Sequence, residues 1–177
     1  MPAIEPRPGY ELWWPNREKA SSKTMKAVVG FVLLVSAGLL VIITLGGWEH
    51  LQGTSVAFMS LAWAAIYVVM AVFVARWNRG LLPLAASLAV ILAIFAGIAA
   101  PEWFARDKEG LDSPALPEDL LGLLTLVIVP VQLLLVAVSM AAFNQEWHIE
   151  EERPIGGQPL AGEADASGGP TPAPAAG

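Results

Sequence analysis

The chain has 177 residues, is 55% hydrophobic and only 15% charged, and has a mean hydropathy of +0.58. A soluble domain carries about 25% charged residues, so this deficit excludes an ordinary soluble domain and points to a membrane. A formal charge of −6 without a basic footprint argues against a nucleic-acid partner, and the absence of cysteine removes disulfides, thiolate nucleophiles, iron–sulfur ligation and thiolate zinc sites.

Residues 1–24 are polar, carry Pro2, Pro6, Pro8 and Pro15, and turn basic at Arg17, Lys19 and Lys23. Tyr10, Trp13 and Trp14 among these cations suit the headgroup region. The segment is expected to be disordered. The first apolar run, about 25–45, is too long for a signal-peptide core and no A-x-A-like site follows it, so it reads as a retained span. The loop after it, 46–53, holds no Lys or Arg.

A second run covers about 54–75 and carries Ser60 and Tyr67 seven residues apart, a short polar stripe. A tight turn, Arg76-Trp77-Asn78-Arg79-Gly80, leads into the third run, about 81–100, with Pro83 in its first turn. Ala85, Ala89, Ala93 and Gly97 recur there at every fourth position. Small residues let helix backbones approach closely in lipid, so this ridge is expected to be a packing face, and leucine at Ala89 or Gly97 is expected to weaken it.

The third loop, Pro101 to Asp119, holds Arg106 and Lys108 against six acids. Its end, Leu116-Pro117-Glu118-Asp119, places proline and acids at the start of a helix, where preset φ and the dipole favour them. The fourth run, 120–143, is 24 residues without a charge, longer as a helix than the roughly 30 Å hydrocarbon layer. Thr125, Gln132 and Ser139 interrupt it at intervals of seven and therefore form one narrow stripe that should face protein rather than lipid. Pro130 cannot donate to the Leu126 carbonyl, so a mild mid-span bend is expected. Residues 146–177 begin acidic and become Gly/Ala/Pro-rich, a composition expected to stay disordered.

The fold class is therefore an all-α integral membrane protein with four transmembrane helices in an antiparallel bundle over 25–145 and disordered N- and C-terminal segments. Alternate sides of the membrane carry eight Lys and Arg against two, so the positive-inside rule sets both termini in the cytoplasm and the protein in the cell (inner) membrane. The second and fourth spans then run in the same direction, and Tyr67 and Gln132 reach similar depths, so a hydrogen bond between them is expected.

Few chemistries are supported. Beyond Lys26 at the edge of the first run, no run contains Asp, Glu, Lys, Arg or His, the groups a coupled carrier needs at mid-depth. His50 and His148 are the only histidines and fall on opposite sides of the bilayer, too far apart to ligate one haem, though either could serve a cofactor held by a partner. Glu49, His50, Glu102, Asp107, Glu109 and Asp112 share the outer face without any metal-ligand spacing and read as a solvated acidic loop. Ser60, Ser87 and Ser139 have no histidine at their depth, so no catalytic triad assembles. No catalytic, metal or cofactor residue is assigned, and an enzyme is not expected. In build the chain resembles small accessory subunits of larger membrane complexes, which implies the bilayer and other membrane subunits or a second copy as partners. Two alternatives are an oligomeric channel or carrier lined by Thr125, Gln132 and Ser139, and a respiratory accessory subunit lending His50 or His148.

Single-cysteine labelling tests the topology on a cysteine-free background. Ala3→Cys and Pro170→Cys are expected to be shielded from an impermeant reagent outside intact cells, whereas Gly110→Cys reacts; the opposite pattern inverts the topology.

Overall fold

The computed structural model describes residues 6–48, 51, 53–105 and 115–156, and divides into two units, 16–147 and a smaller one drawn from the two ends of the chain. The larger unit contains four helices long and apolar enough to cross a membrane: α2 (Ala20–Gly46), α3 (Thr54–Ala75), α4 (Leu81–Phe104) and α5 (Glu118–Phe143), preceded by a single turn, α1 (Pro15–Glu18). α2 pairs with α3 and α4 with α5 as antiparallel neighbours, and α2 and α5 pack together between the two pairs. The helices follow the apolar runs but overrun them. α2 starts five residues before the expected 25 because backbone bonding continues into the polar Ala20–Thr24 stretch, where no proline stops it. α4 continues through Pro101, whose missing N–H forfeits only the bond to Gly97.

The buried positions keep an average spacing near 3.5 residues. On α5, apart from Gly122 beside Leu121, they are Leu121, Thr125, Ile128, Gln132, Leu135, Ser139 and Ala142, alternating steps of four and three. This is the repeat that keeps a seam facing its neighbours in a left-handed bundle. On α4 the sequence of buried residues runs Leu82, Ala85, Ala86, Ala89, Leu92, Ala96, Ala100 and Trp103. The expected ridge needs correction here. Ala85 and Ala89 are fully buried, but Ala93 is only half-buried and Gly97 is exposed, with open space where a Cβ would stand. A step of four residues at 3.6 per turn advances about 40°, so three such steps carry Gly97 about 120° from Ala85, and Leu92, Ala96 and Ala100 take over the face.

Close packing by glycine occurs at the loop end of the bundle instead. A Cβ on Gly47 would lie 2.5 Å from the Trp103 ring, and one on Gly122 would lie 2.8 Å from the Phe104 ring. Leu116 closes over Gly46, its N–H donating to the Gly46 carbonyl at 3.1 Å. Trp103 is 3% exposed and belongs to the core.

The smaller unit departs from the expectation of unstructured ends. Strand β1 (Tyr10–Trp13) pairs antiparallel with β2 (Glu151–Pro154), with Glu11 opposite Arg153. Arg153 Nε bonds Glu11 Oε1 at 2.7 Å across the ladder, and Arg7 Nε bonds Glu152 Oε2 at 2.6 Å. The Arg7 hydrogen bond holds the Glu152 carboxyl below its ordinary range, so this contact is present near neutral pH and is lost as pH falls through that lowered value. Opposite charges directly across a two-stranded ladder favour this register, and Trp14 Nε1 adds a 3.2 Å bond to Glu150. Residues 1–5 and 157–177, including most of the expected tail, lie outside the described residues.

Thermal unfolding in detergent distinguishes the two ends of the expected ridge. Ala89→Leu should cost about 1–3 kcal/mol through overpacking, whereas Gly97→Leu should stay within about 0.5 kcal/mol of the parent, as should Ile94→Leu. Equal losses at Ala89 and Gly97 would restore the four-residue ridge.

Candidate helix-packing site

A directed chain of hydrogen bonds crosses the bundle at mid-depth. Tyr67 Oη on α3 donates to Gln132 Oε1 on α5 at 2.9 Å. Gln132 Nε2 donates to Ser36 Oγ on α2 at 2.9 Å, and Ser36 Oγ donates to the Val32 carbonyl one turn earlier at 2.8 Å. Tyr67, Gln132 and Ser36 are each 0% exposed. The heptad position of Gln132 turns it inward, and the length of both side chains lets α3 and α5 meet across the bundle. Both the oxygen and the nitrogen of the Gln132 amide are thus engaged, which matters because an unpaired amide in hydrocarbon costs several kcal/mol.

The other seam residues are spent differently. Thr125 Oγ1 bonds the Leu121 carbonyl within α5 at 2.7 Å and reaches no other helix. Ser139 Oγ is buried without a hydrogen-bond partner. Of the three polar residues on the α5 stripe, only Gln132 connects helices. On α3, Ser60 accepts from Thr44 of α2 at 2.7 Å, a direct bridge between these two helices nearer the loop end. Ser36 and Thr44 escaped the sequence reading because they stand eight residues apart on α2, outside a strict heptad, though both are buried.

At the terminus end, cations close two helix C-termini. Lys26 Nζ reaches the Ala75 carbonyl at 3.4 Å and sits 4.0 Å above the Trp77 ring. Arg79 Nε bonds the Phe143 carbonyl at 2.9 Å while its guanidinium covers the Phe143 ring. These contacts serve the carbonyls a helix leaves unpaired at its end, where positive charge is also favoured. α3 ends in a Schellman arrangement, with Asn78 N–H on the Phe73 carbonyl and Trp77 N–H on that of Val74. The left-handed position this requires, usually glycine, is occupied by Trp77 at φ 65°. Its ring is held edge-to-face against Trp147, centroids 5.2 Å apart, and Trp147 is completely buried with its carbonyl bonded by Arg17 at 2.9 Å.

His148 is exposed, and His50, Glu49, Asp107, Glu109 and Asp112 lie outside the described residues. Among the described residues no three His, Cys, Asp or Glu side chains gather as a metal-binding group.

The polar chain is testable by a double-mutant cycle. Tyr67→Phe and Gln132→Leu should couple by about 0.6 kcal/mol in unfolding measurements, the typical value for an interhelical bond, and Ser36→Ala should couple to Gln132→Leu by a similar amount. Strict additivity in either cycle would show that the paired side chains do not interact at that contact.

No protein-family model, curated protein or solved structure matches the chain.

Proposed function

We propose that this chain is a non-enzymatic multi-pass subunit of the cell membrane, both termini cytoplasmic, that packs into a larger membrane complex or a homo-oligomer through its α3–α4 side. The observation that carries the reading is an apolar groove. α3 and α4 are joined by a short turn yet diverge along their length, leaving a cleft of about 470 Å³ lined by Ala65, Ile66, Val69, Phe73, Leu81 and Leu84. Helices in lipid associate by shape and close packing, and a cleft between two helices offers both to a third.

The polar chemistry supports the same reading over a transport path. Thr125, Gln132 and Ser139 are at most 4% exposed, and Gln132 is engaged by α2 and α3, so the stripe presents no lining to a pore formed between copies. Ser60 and Ser87, weighed as nucleophiles, are engaged by Thr44 and the Pro83 carbonyl. The positive-inside distribution supports the orientation.

Ile66→Cys and Leu84→Cys place thiols in the groove of a protein that has no others. Cross-linking in native membranes is expected to yield one defined adduct, with a partner subunit or a second copy, that also co-purifies in mild detergent. Absence of any adduct from thiols that a lipid-soluble maleimide labels fully, together with solute flux in liposomes, would replace this reading by the channel.

A further inference from the structure

A second groove runs along the opposite edge of α3, where it meets α2, and it ends in positive charge. Its volume is about 430 Å³. Ala27, Gly30, Ala71 and Ala75 make a floor of small residues, and Phe31, Leu34 and Val72 stand at its sides, 67%, 51% and 47% exposed. Nothing lies within 4 Å of where a Cβ on Gly30 would be, so the floor is open at that point. Lys26 closes the terminus end of the groove. An ammonium has three N–H groups; the Ala75 carbonyl takes one direction and the Trp77 face another, which leaves donor capacity toward the groove mouth. Lys23 lies one turn before Lys26 on α2, and Arg76 follows Ala75 directly. Among the described residues, none of these three cations forms an ion pair with a carboxylate.

We infer that the α2–α3 groove holds an anionic phospholipid of the leaflet on the terminus side, one acyl chain against Gly30 and the phosphate on Lys26 with Lys23 and Arg76 beside it. The chemistry is complementary at both ends: an apolar slot that enters the hydrocarbon layer, and cations without a carboxylate partner among the described residues at headgroup depth. Basic positions between transmembrane helices recognise such headgroups, and Trp77 fixes the Lys26 ammonium at the required level. The inference uses a different face from the α3–α4 groove and stands or falls separately from it.

Native mass spectrometry of the full-length protein tests the site with phosphatidylglycerol and phosphatidylcholine of identical acyl chains. The parent should retain one phosphatidylglycerol in preference to phosphatidylcholine. Lys26→Gln should weaken retention about fivefold, the factor for one basic residue near an anionic surface. Gly30→Leu fills open space and should fold normally while displacing the chain, so it tests the groove even if Lys26→Gln is unstable. Lys19→Gln serves as the control and should bind as the parent does. Equal retention of the two lipids by the parent, unchanged phosphatidylglycerol binding in Gly30→Leu, or displacement of the lipid by inorganic phosphate alone would overturn the assignment.

Discussion

One amide at the centre of α5 constrains the bundle. Gln132 has no water to turn to, and leaving its side chain unpaired would cost several kcal/mol. Its oxygen is served by Tyr67 from α3 and its nitrogen by Ser36 from α2, so three helices meet around one side chain. Each bond contributes little by itself, about 0.6 kcal/mol in comparable bundles. The larger effect is on specificity. Sliding α5 by one turn against α2 or α3 would strand both ends of the amide, whereas leucine at the same place would pack in several registers. The direction of the chain, hydroxyl to amide to hydroxyl to carbonyl, leaves only one consistent arrangement of donors.

Packing around this centre follows the 3.5-residue repeat that polar and apolar positions share. On α5, Leu121, Ile128, Leu135 and Ala142 interleave with Thr125, Gln132 and Ser139 as two heptad lines on one face. Alanine on α4 allows close packing at Ala85 and Ala89, both fully buried. Gly46, Gly47 and Gly122 then admit Leu116, Trp103 and Phe104 at the loop end, where a Cβ would meet these bulky side chains. Large residues against glycine at one end and alanine against helix at mid-span are two solutions to the same requirement of native density.

The basic residues at the terminus end act twice. They establish the asymmetry that orients a membrane protein, and they complete helix ends: Lys26 for α3 and Arg79 for α5. Holding Trp77 at positive φ is unfavourable for a bulky residue. Lys26 over the face of its ring and Trp147 edge-to-face with it provide the compensation, and Trp147 is fully buried there.

The sequence by itself determined the number of membrane helices, their approximate ends and the inward direction of Gln132 and Tyr67, because these depend on local hydropathy and on angular period. It left open which polar groups meet. Gln132 bonds Ser36 of α2 whereas Thr125 bonds back to its own helix, a choice made by which side chain lies opposite each of them. The ridge over Ala85–Gly97 was half legible for a related reason: small-residue spacing locates a face only where it agrees with the repeat that the packed neighbours impose. The β1–β2 pairing was illegible, since two four-residue strands carry almost no periodicity and Glu11 and Arg153 are 142 residues apart in the chain. Charge complementarity of that kind has no local signature; only the tertiary structure brings its two halves together.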